Sequence, residues 1–134
     1  AAKATFAAVH RAIAGGWVRA CHDLSEGGLA AALAEAAFSG MLGAAVDLQA
    51  VPRTPGLDDP LVILFSESNS RFLCEVTPAD EEAFAAELTA AGVPHARIGV
   101  VTADRELTCT WAGRTVLRAD VAALKQSWQR PLSW

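Results

Sequence analysis

The nine residues His22-Asp23-Leu24-Ser25-Glu26-Gly27-Gly28-Leu29-Ala30 bring an imidazole, two carboxylates, a hydroxyl and two glycines into one short stretch. Ahead of them, Trp17-Val18-Arg19-Ala20-Cys21 has the make-up of a short buried strand. Behind them, Leu29, Leu33, Ala36, Ala37 and Met41 recur at helical spacing. A strand, a polar glycine turn and a helix N-terminus offer a place for an anion or a hydrated metal ion. The free N–H groups and the helix dipole favour negative charge, and glycines let the backbone come close. Asp23 in such a turn suits Mg²⁺, which takes one or two protein carboxylates and completes its shell with water and phosphate oxygens. The same residues also spell a plain capped helix, with Ser25 as N-cap, Asp23 forming the turn and Gly27-Gly28 making the bend.

A second polar run, Ser66-Glu67-Ser68-Asn69-Ser70, lies between the apolar segment ending at Phe65 and a strand candidate beginning at Arg71. Its default reading is a turn. Arg71 either grips a phosphate with both arms of its guanidinium or is a surface charge at a strand edge.

The stretch from His22 to Ala30 resembles the hallmark of the C-terminal lobe of the phosphoribosylformylglycinamidine synthase family, ATP-dependent enzymes of purine biosynthesis. Ala31 to Gly40 is similar to that family's helix, Gly43 to Leu48 to its next strand, and Leu64 to Phe72 to its Ser-Glu-Ser turn. The resemblance implies that Asp23 is a magnesium ligand near bound nucleotide. It implies that Ser25, Gly27 and Gly28 meet nucleotide or substrate phosphate, and that Glu67, Ser68 and Asn69 approach the substrate's phosphoribosyl group. Many relatives carry Gln at the place of Asn69. The implied parent enzyme uses ATP to activate a formyl amide oxygen and lets ammonia displace phosphate. Its N-terminal lobe supplies the catalytic histidine and most metal ligands, and a glutaminase subunit supplies the ammonia. The chain is then a domain excised from a longer enzyme and is inactive alone. The motif fits the second of two lobe pairs, which leaves the pocket open as an active one for ATP or an auxiliary one for ADP. Two alternatives stand beside this: a lobe of a sibling enzyme of hydrogenase maturation or selenophosphate synthesis, and a non-enzymatic binding or regulatory module.

Composition agrees with a globular chain. Of 134 residues, 52% are hydrophobic and 19% charged, enough apolar side chains for a packed core in one domain. No apolar run approaches the roughly 18 residues that span a bilayer, and the first residues lack the pattern of a signal peptide, so a cytoplasmic location is expected. The net charge of −4 and scattered basic residues argue against nucleic acid as a partner. Cys21, Cys74 and Cys109 are odd in number and widely spaced, and they read as reduced core residues. No histidine has a partner at a telling interval, so no general base is assigned. His22 orients the turn, His10 lies on a helix surface and His95 in a loop. Trp128 and Trp134 read as packing against a neighbouring domain.

The elements that position these residues follow from periodicity and breakers. A first helix spans 5–14, with Phe6, Val9 and Ile13 on one face and Gly15-Gly16 as its stop. The long helix spans 27–39, with Gly40 as its terminal glycine. A strand covers 43–48, a mobile Pro- and Asp-rich loop 49–60, and a strand or short helix 61–65. A strand at 71–76 precedes a helix capped by Thr77 with Pro78 at its first position, running to Ala90. Strands at 96–101, 106–111 and 115–118 follow, the last two joined by a hairpin at Ala112-Gly113. Asp120 caps a final helix through Lys125. This order gives an α+β fold, one mixed sheet with helices packed on it, as the resemblance also implies.

Overall fold

The computed structural model describes residues 1–133; the expectation for Trp134 lies outside the described residues. Helices α1 (Ala2–Ala14), α2 (Gly28–Gly40), α3 (Pro60–Phe65), α4 (Glu81–Ala90) and α5 (Val121–Gln129) alternate with six strands. These are β1 (Val18–Asp23), β2 (Gly43–Asp47), β3 (Phe72–Val76), β4 (Gly99–Thr102), β5 (Glu106–Trp111) and β6 (Arg114–Asp120). Strands β4-β2-β5-β6 form a mixed sheet in which β2 runs parallel to β5 and antiparallel to β4. The α+β class and the mixed sheet are therefore as expected. Strands β1 and β3 stand outside that sheet as a separate antiparallel ribbon.

The main core lies between the mixed sheet and helices α2 and α3. Leu29 and Leu33 of α2, Val46 of β2, Leu107 and Cys109 of β5, and Ile63 and Leu64 of α3 pack with Leu24 and Leu48. No polar or charged side chain is buried among the described residues. Burial of this kind removes apolar area from water at about 25 cal/mol per Å² and dominates the favourable side of folding. α2 is its centre, burying Leu29, Ala32 and Leu33 there and Ala37 and Phe38 in a second cluster with Val121. Its stripe is wider than the expected one and omits Ala36, which is exposed.

Several local expectations are corrected. α1 buries Ala8, Val9 and Ala12, while Phe6 and Ile13 stay half-exposed. Small side chains let α1 approach α4, where Ala8 meets Leu88 and Val93. Gly40 remains helical, and Met41 takes the left-handed cap at φ 52°. Packing of the Met41 side chain on Ala37, Phe38 and Val121 offsets that strain of about 1–2 kcal/mol. α4 starts at Glu81, because Thr77 donates its hydroxyl to Asp80 at 2.7 Å and closes a turn ahead of the helix. Segment 61–65 is helical, with the Asp59 carboxylate accepting the Leu61 N–H and Pro60 in the first turn. The expected loop at 49–60 is clasped by Arg53, which donates to the Gln49 and Leu57 carbonyl oxygens at 2.7 and 2.8 Å and sits over the Trp111 ring. Asp120 caps α5 through the Ala123 N–H, and the 112–113 hairpin forms with both residues left-handed. Trp128 lies half-exposed against Phe38, so part of its surface is covered within the chain. Of the cysteines only Cys109 is buried; Cys74 is partly covered and Cys21 exposed.

Candidate functional site

β1 extends past the expected end at Cys21 and makes Asp23 a strand residue, paired with Phe72 at the start of β3. Asp23 is thus fixed by ladder pairing and not by a local turn. The next residue, Leu24, donates its N–H to the Arg71 carbonyl oxygen at 3.0 Å and buries its side chain in the main core. Between this anchor and α2 only Ser25, Glu26 and Gly27 remain, a span too short to wander.

The Asp23 carboxylate is open to solvent, and the Ser25 hydroxyl donates to its Oδ2. That hydrogen bond, then the backbone N–H of Asp23, hold its carboxyl below the usual range, with a smaller share from His22; slight desolvation opposes them. Ser25 therefore serves Asp23 and does not cap the helix; Gly27 occupies the N-cap position without a side-chain bond.

His22 reaches toward α2, with its Nδ1 still 3.7 Å from Asp23 Oδ1. Its Nδ1 meets the Asp23 carbonyl oxygen at 2.6 Å and its Nε2 meets a carboxylate oxygen of Glu35 on α2. Both partners accept only, so both ring nitrogens donate and the imidazolium form is favoured. Desolvation pulls the His22 pKa down, but the Asp23 carbonyl and then Glu35 outweigh it and raise the value above 6.5. The expected orienting role has this geometry.

The two polar motifs meet at Gly27, whose N–H donates to Glu67 Oε1 at 2.9 Å. A carboxylate of the chain itself thus occupies the helix start, where a bound anion was expected. The Gly28 N–H is also engaged, by the Ser25 carbonyl oxygen at 3.0 Å. Both glycines are left-handed, at φ 77° and 62°. A Cβ on Gly28 would sit 2.6 Å from the Ser66 carbonyl oxygen and 2.9 Å from that of Leu64. Glycine here lets the backbone after α3 lie directly on the start of α2.

The turn after α3 is closed by Arg71, whose Nη2 donates to the Ser66 carbonyl oxygen at 2.6 Å and to the Ser66 hydroxyl at 3.1 Å. Burial lowers the Arg71 pKa, yet a guanidinium remains charged throughout the ordinary pH range.

A cleft of about 350 Å³ opens between the two turns, within the size range of small-molecule sites. Asp23, Ser25, Glu67 and Asn69 line it together with Glu26, Ser70, Arg71, Leu24, Phe6 and Phe72. Four of the seven expected residues are therefore brought to one cavity, while Ser68, Gly27 and Gly28 are not on its wall. Helical spacing gives Phe6 a place on a helix face and no role in the site, yet it reaches the cleft by meeting the Phe72 ring edge-on at 5.7 Å. Its exposed place on α1 depends on the α1–α4 packing, for which the sequence carries no local signal. Glu26 was legible only as part of the motif.

No group of three or more metal-ligating side chains occurs among the described residues. Asp23 thus offers one open carboxylate with a hydroxyl beside it, in a cleft that Glu26 and Glu67 also line. That suits an ion that draws its other ligands from water and phosphate, as Mg²⁺ does, and does not suit an all-protein metal cage.

Residues 1–112 match the family described as AIR synthase related protein, C-terminal domain, and the chain belongs to that family. Within it, the chain is similar to the phosphoribosylformylglycinamidine synthase subunit PurL of a Synechocystis strain, at 38% identity over 98% of this chain. The structure superposes on phosphoribosylformylglycinamidine synthase II of Thermotoga maritima with a TM-score of 0.85 and 26% identity, covering 92% of this chain and 21% of that one. The T. maritima protein has been solved in complexes with ADP, ATP and FGAR. The resemblance read from the two motifs is the one these proteins bear out. The hydrogenase maturation protein HypE shares the fold at a TM-score of 0.69, but at 22% identity it speaks for the fold alone. This chain spans 17% of the length of the Synechocystis relative and 15% of another from Alkaliphilus metalliredigens. No helix among the described residues is long and apolar enough to cross a membrane.

Proposed function

We propose that this chain is the second C-terminal lobe of a phosphoribosylformylglycinamidine synthase, the ATP-dependent enzyme that converts formylglycinamide ribonucleotide to its amidine. The observation that carries the reading is the joining of the two motifs: Gly27 of the first bonds Glu67 of the second, and Asp23, Ser25, Glu67 and Asn69 line one cleft. In this reading the cleft contributes one wall of a nucleotide or phosphoribosyl site. Asp23 is the residue that holds Mg²⁺, and a bound Mg²⁺ supplies charge neutralisation for phosphate oxygens. Ser25 keeps the Asp23 carboxylate oriented and ionised. Glu67, with Ser68 and Asn69 on the same turn, faces the substrate, and Gly27 and Gly28 set the distance between the turns. The remaining wall belongs to an N-terminal lobe of the same parent chain, and ammonia comes from a glutaminase subunit; the parent works in the cytoplasm. Positioning and electrostatic stabilisation then do most of the work of phosphoryl transfer.

The test is calorimetric titration of the chain with ADP and with ATP in the presence and absence of Mg²⁺, repeated on Asp23→Ala. Mg²⁺-dependent binding that disappears with the substitution supports the assignment. Equal binding by both chains removes Asp23 from the site. Turnover of formylglycinamide ribonucleotide by this chain alone would contradict its role as part of a shared cleft.

A further inference from the structure

We infer that Cys21 and Cys74 form a reversible redox pair that closes into a cross-strand disulfide on the β1–β3 ribbon. The two residues are directly opposite in register, and their sulfur atoms lie 3.7 Å apart. They occupy the narrow kind of antiparallel pair. The Leu24 N–H bonds the Arg71 carbonyl oxygen, three register steps away, and hydrogen-bonded and non-hydrogen-bonded pairs alternate along the ladder. Cys21–Cys74 is accordingly a non-hydrogen-bonded pair, in which Cα atoms stand roughly 4.5 Å apart. That separation is inside the disulfide range, at its short end. Rotation of the two side chains then brings the sulfurs together with the backbone in place.

Accessibility assigns the roles. Cys21 is exposed and meets an oxidant first, while Cys74 lies behind it, partly covered. Burial pushes the Cys74 thiol up to about 12, so it is the slower of the two to attack and the natural partner to close the bond. With a peroxide as oxidant, the Cys21 sulfur attacks one peroxide oxygen. The O–O bond breaks, Cys21 becomes a sulfenic acid, and one water leaves. The Cys74 sulfur then displaces the sulfenic oxygen as a second water, and the S–S bond forms. Two thiols lose two hydrogens in all, and hydrogen peroxide is reduced to two waters. A small dithiol reverses the reaction by exchange. Cys109 is buried in the four-stranded sheet and takes no part.

The position of the pair gives the bond a consequence. Side chains two apart on a strand share a face, so Cys21 stands beside Asp23 and Cys74 beside Phe72, under the cleft. The ribbon has only two strands, an arrangement with little stability of its own. A covalent link between residues 53 apart in sequence fixes its register and shortens the unfolded chain. This inference does not use the nucleotide reading, and its failure leaves that reading untouched.

The experiment is oxidation of the chain with hydrogen peroxide, followed by thiol titration and peptide mapping. Two of the three thiols should disappear, the mass should fall by two hydrogens, and one linked peptide pair should contain Cys21 and Cys74, all reversed by dithiothreitol. In urea, the unfolded fraction should fall roughly a hundredfold on oxidation. Cys74→Ser, if folded by circular dichroism, should instead hold a Cys21 sulfenic acid that dimedone traps. Oxidation of Cys21 to sulfinic acid, or its pairing between molecules, with Cys74 still a free thiol in the native sequence, overturns the inference.

Discussion

The turn from Asp23 to Gly28 and the turn from Ser66 to Arg71 face each other across one cleft, yet different forces hold them. The first is framed by backbone geometry. Asp23 is paired in a strand, Leu24 is sunk in the core, and two left-handed glycines leave no room for a Cβ. The second is held by side chains: Arg71 grips Ser66, and Glu67 reaches over to Gly27. A frame of the first kind fails only when atoms collide. A latch of the second kind can be opened by anything that competes for its charged groups. The cleft thus has one rigid wall and one that can yield.

The largest expected effect is on the rigid wall. Gly28→Ala places a Cβ against two backbone carbonyls at positive φ, neither of which can move without displacing α3. A loss of about 2–4 kcal/mol is expected from the combined overlap and strain. Gly27→Ala should cost less, about 1–3 kcal/mol, since its new methyl, also at positive φ, overlaps one helix-fixed atom, the Ala31 Cβ at 2.7 Å, and no backbone carbonyl. Urea unfolding of both variants checks the order. Equal, small losses would mean that the first turn is no more rigid than the second.

On the other wall, Arg71→Met keeps a long apolar stem but removes the donor from the Ser66 carbonyl and hydroxyl. About 1–3 kcal/mol should be lost, the usual range for a hydrogen bond from a charged group. Arg71→Lys should recover part of it, because the ammonium lacks the fork that serves two acceptors at once. Full recovery by Lys would show that charge, and not directed bonding, closes this turn.

Glu67 tests the link between the walls. Glu67→Gln keeps an oxygen acceptor for the Gly27 N–H and should change stability little, whereas Glu67→Ala should cost about 1 kcal/mol. Under the functional reading both lose affinity for the substrate. Amide exchange at Gly27 gives the direct readout: it should quicken in the Ala variant and stay slow in the Gln variant.

The contrast between the walls also explains what could be read from the chain in advance. The first turn is local: glycines beside a helical stripe announce it within nine residues, and the Ala112-Gly113 hairpin is legible for the same reason. The second motif is recognisable as a polar turn, but its bond to Gly27 crosses 40 residues and depends on where α3 packs. Phe6 illustrates the limit. Helical spacing groups it with Val9 and Ile13, but the buried face of α1 is set by how closely Ala8 and Ala12 let a neighbouring helix approach. The separation of β1–β3 from the mixed sheet is likewise a tertiary choice. Asp23 is legible from its neighbours, and its fixation by Phe72 is not, because strand pairing leaves no mark on the residue that ends the strand.

The smallest effect concerns His22, which ties the rigid wall to α2 and makes that tie sensitive to pH. Its folded pKa lies above 6.5, so the contribution is complete below the unfolded value and fades as pH rises through the folded one. Stability should therefore decline as pH rises above about 6.5, by less than about 1 kcal/mol, since a partly exposed pair is screened by solvent. Asp23 acts in the opposite sense and in a separate window: its folded pKa lies below 3.8, and its contribution is lost only as pH falls through that value. Urea midpoints across the neutral range, for the native chain and for His22→Gln, separate the two. A slope that survives the substitution would assign the pH response to another group. A native chain with no slope would mean that folding leaves the His22 pKa at its unfolded value, so that the contacts with the Asp23 carbonyl and Glu35 favour neither form of the ring.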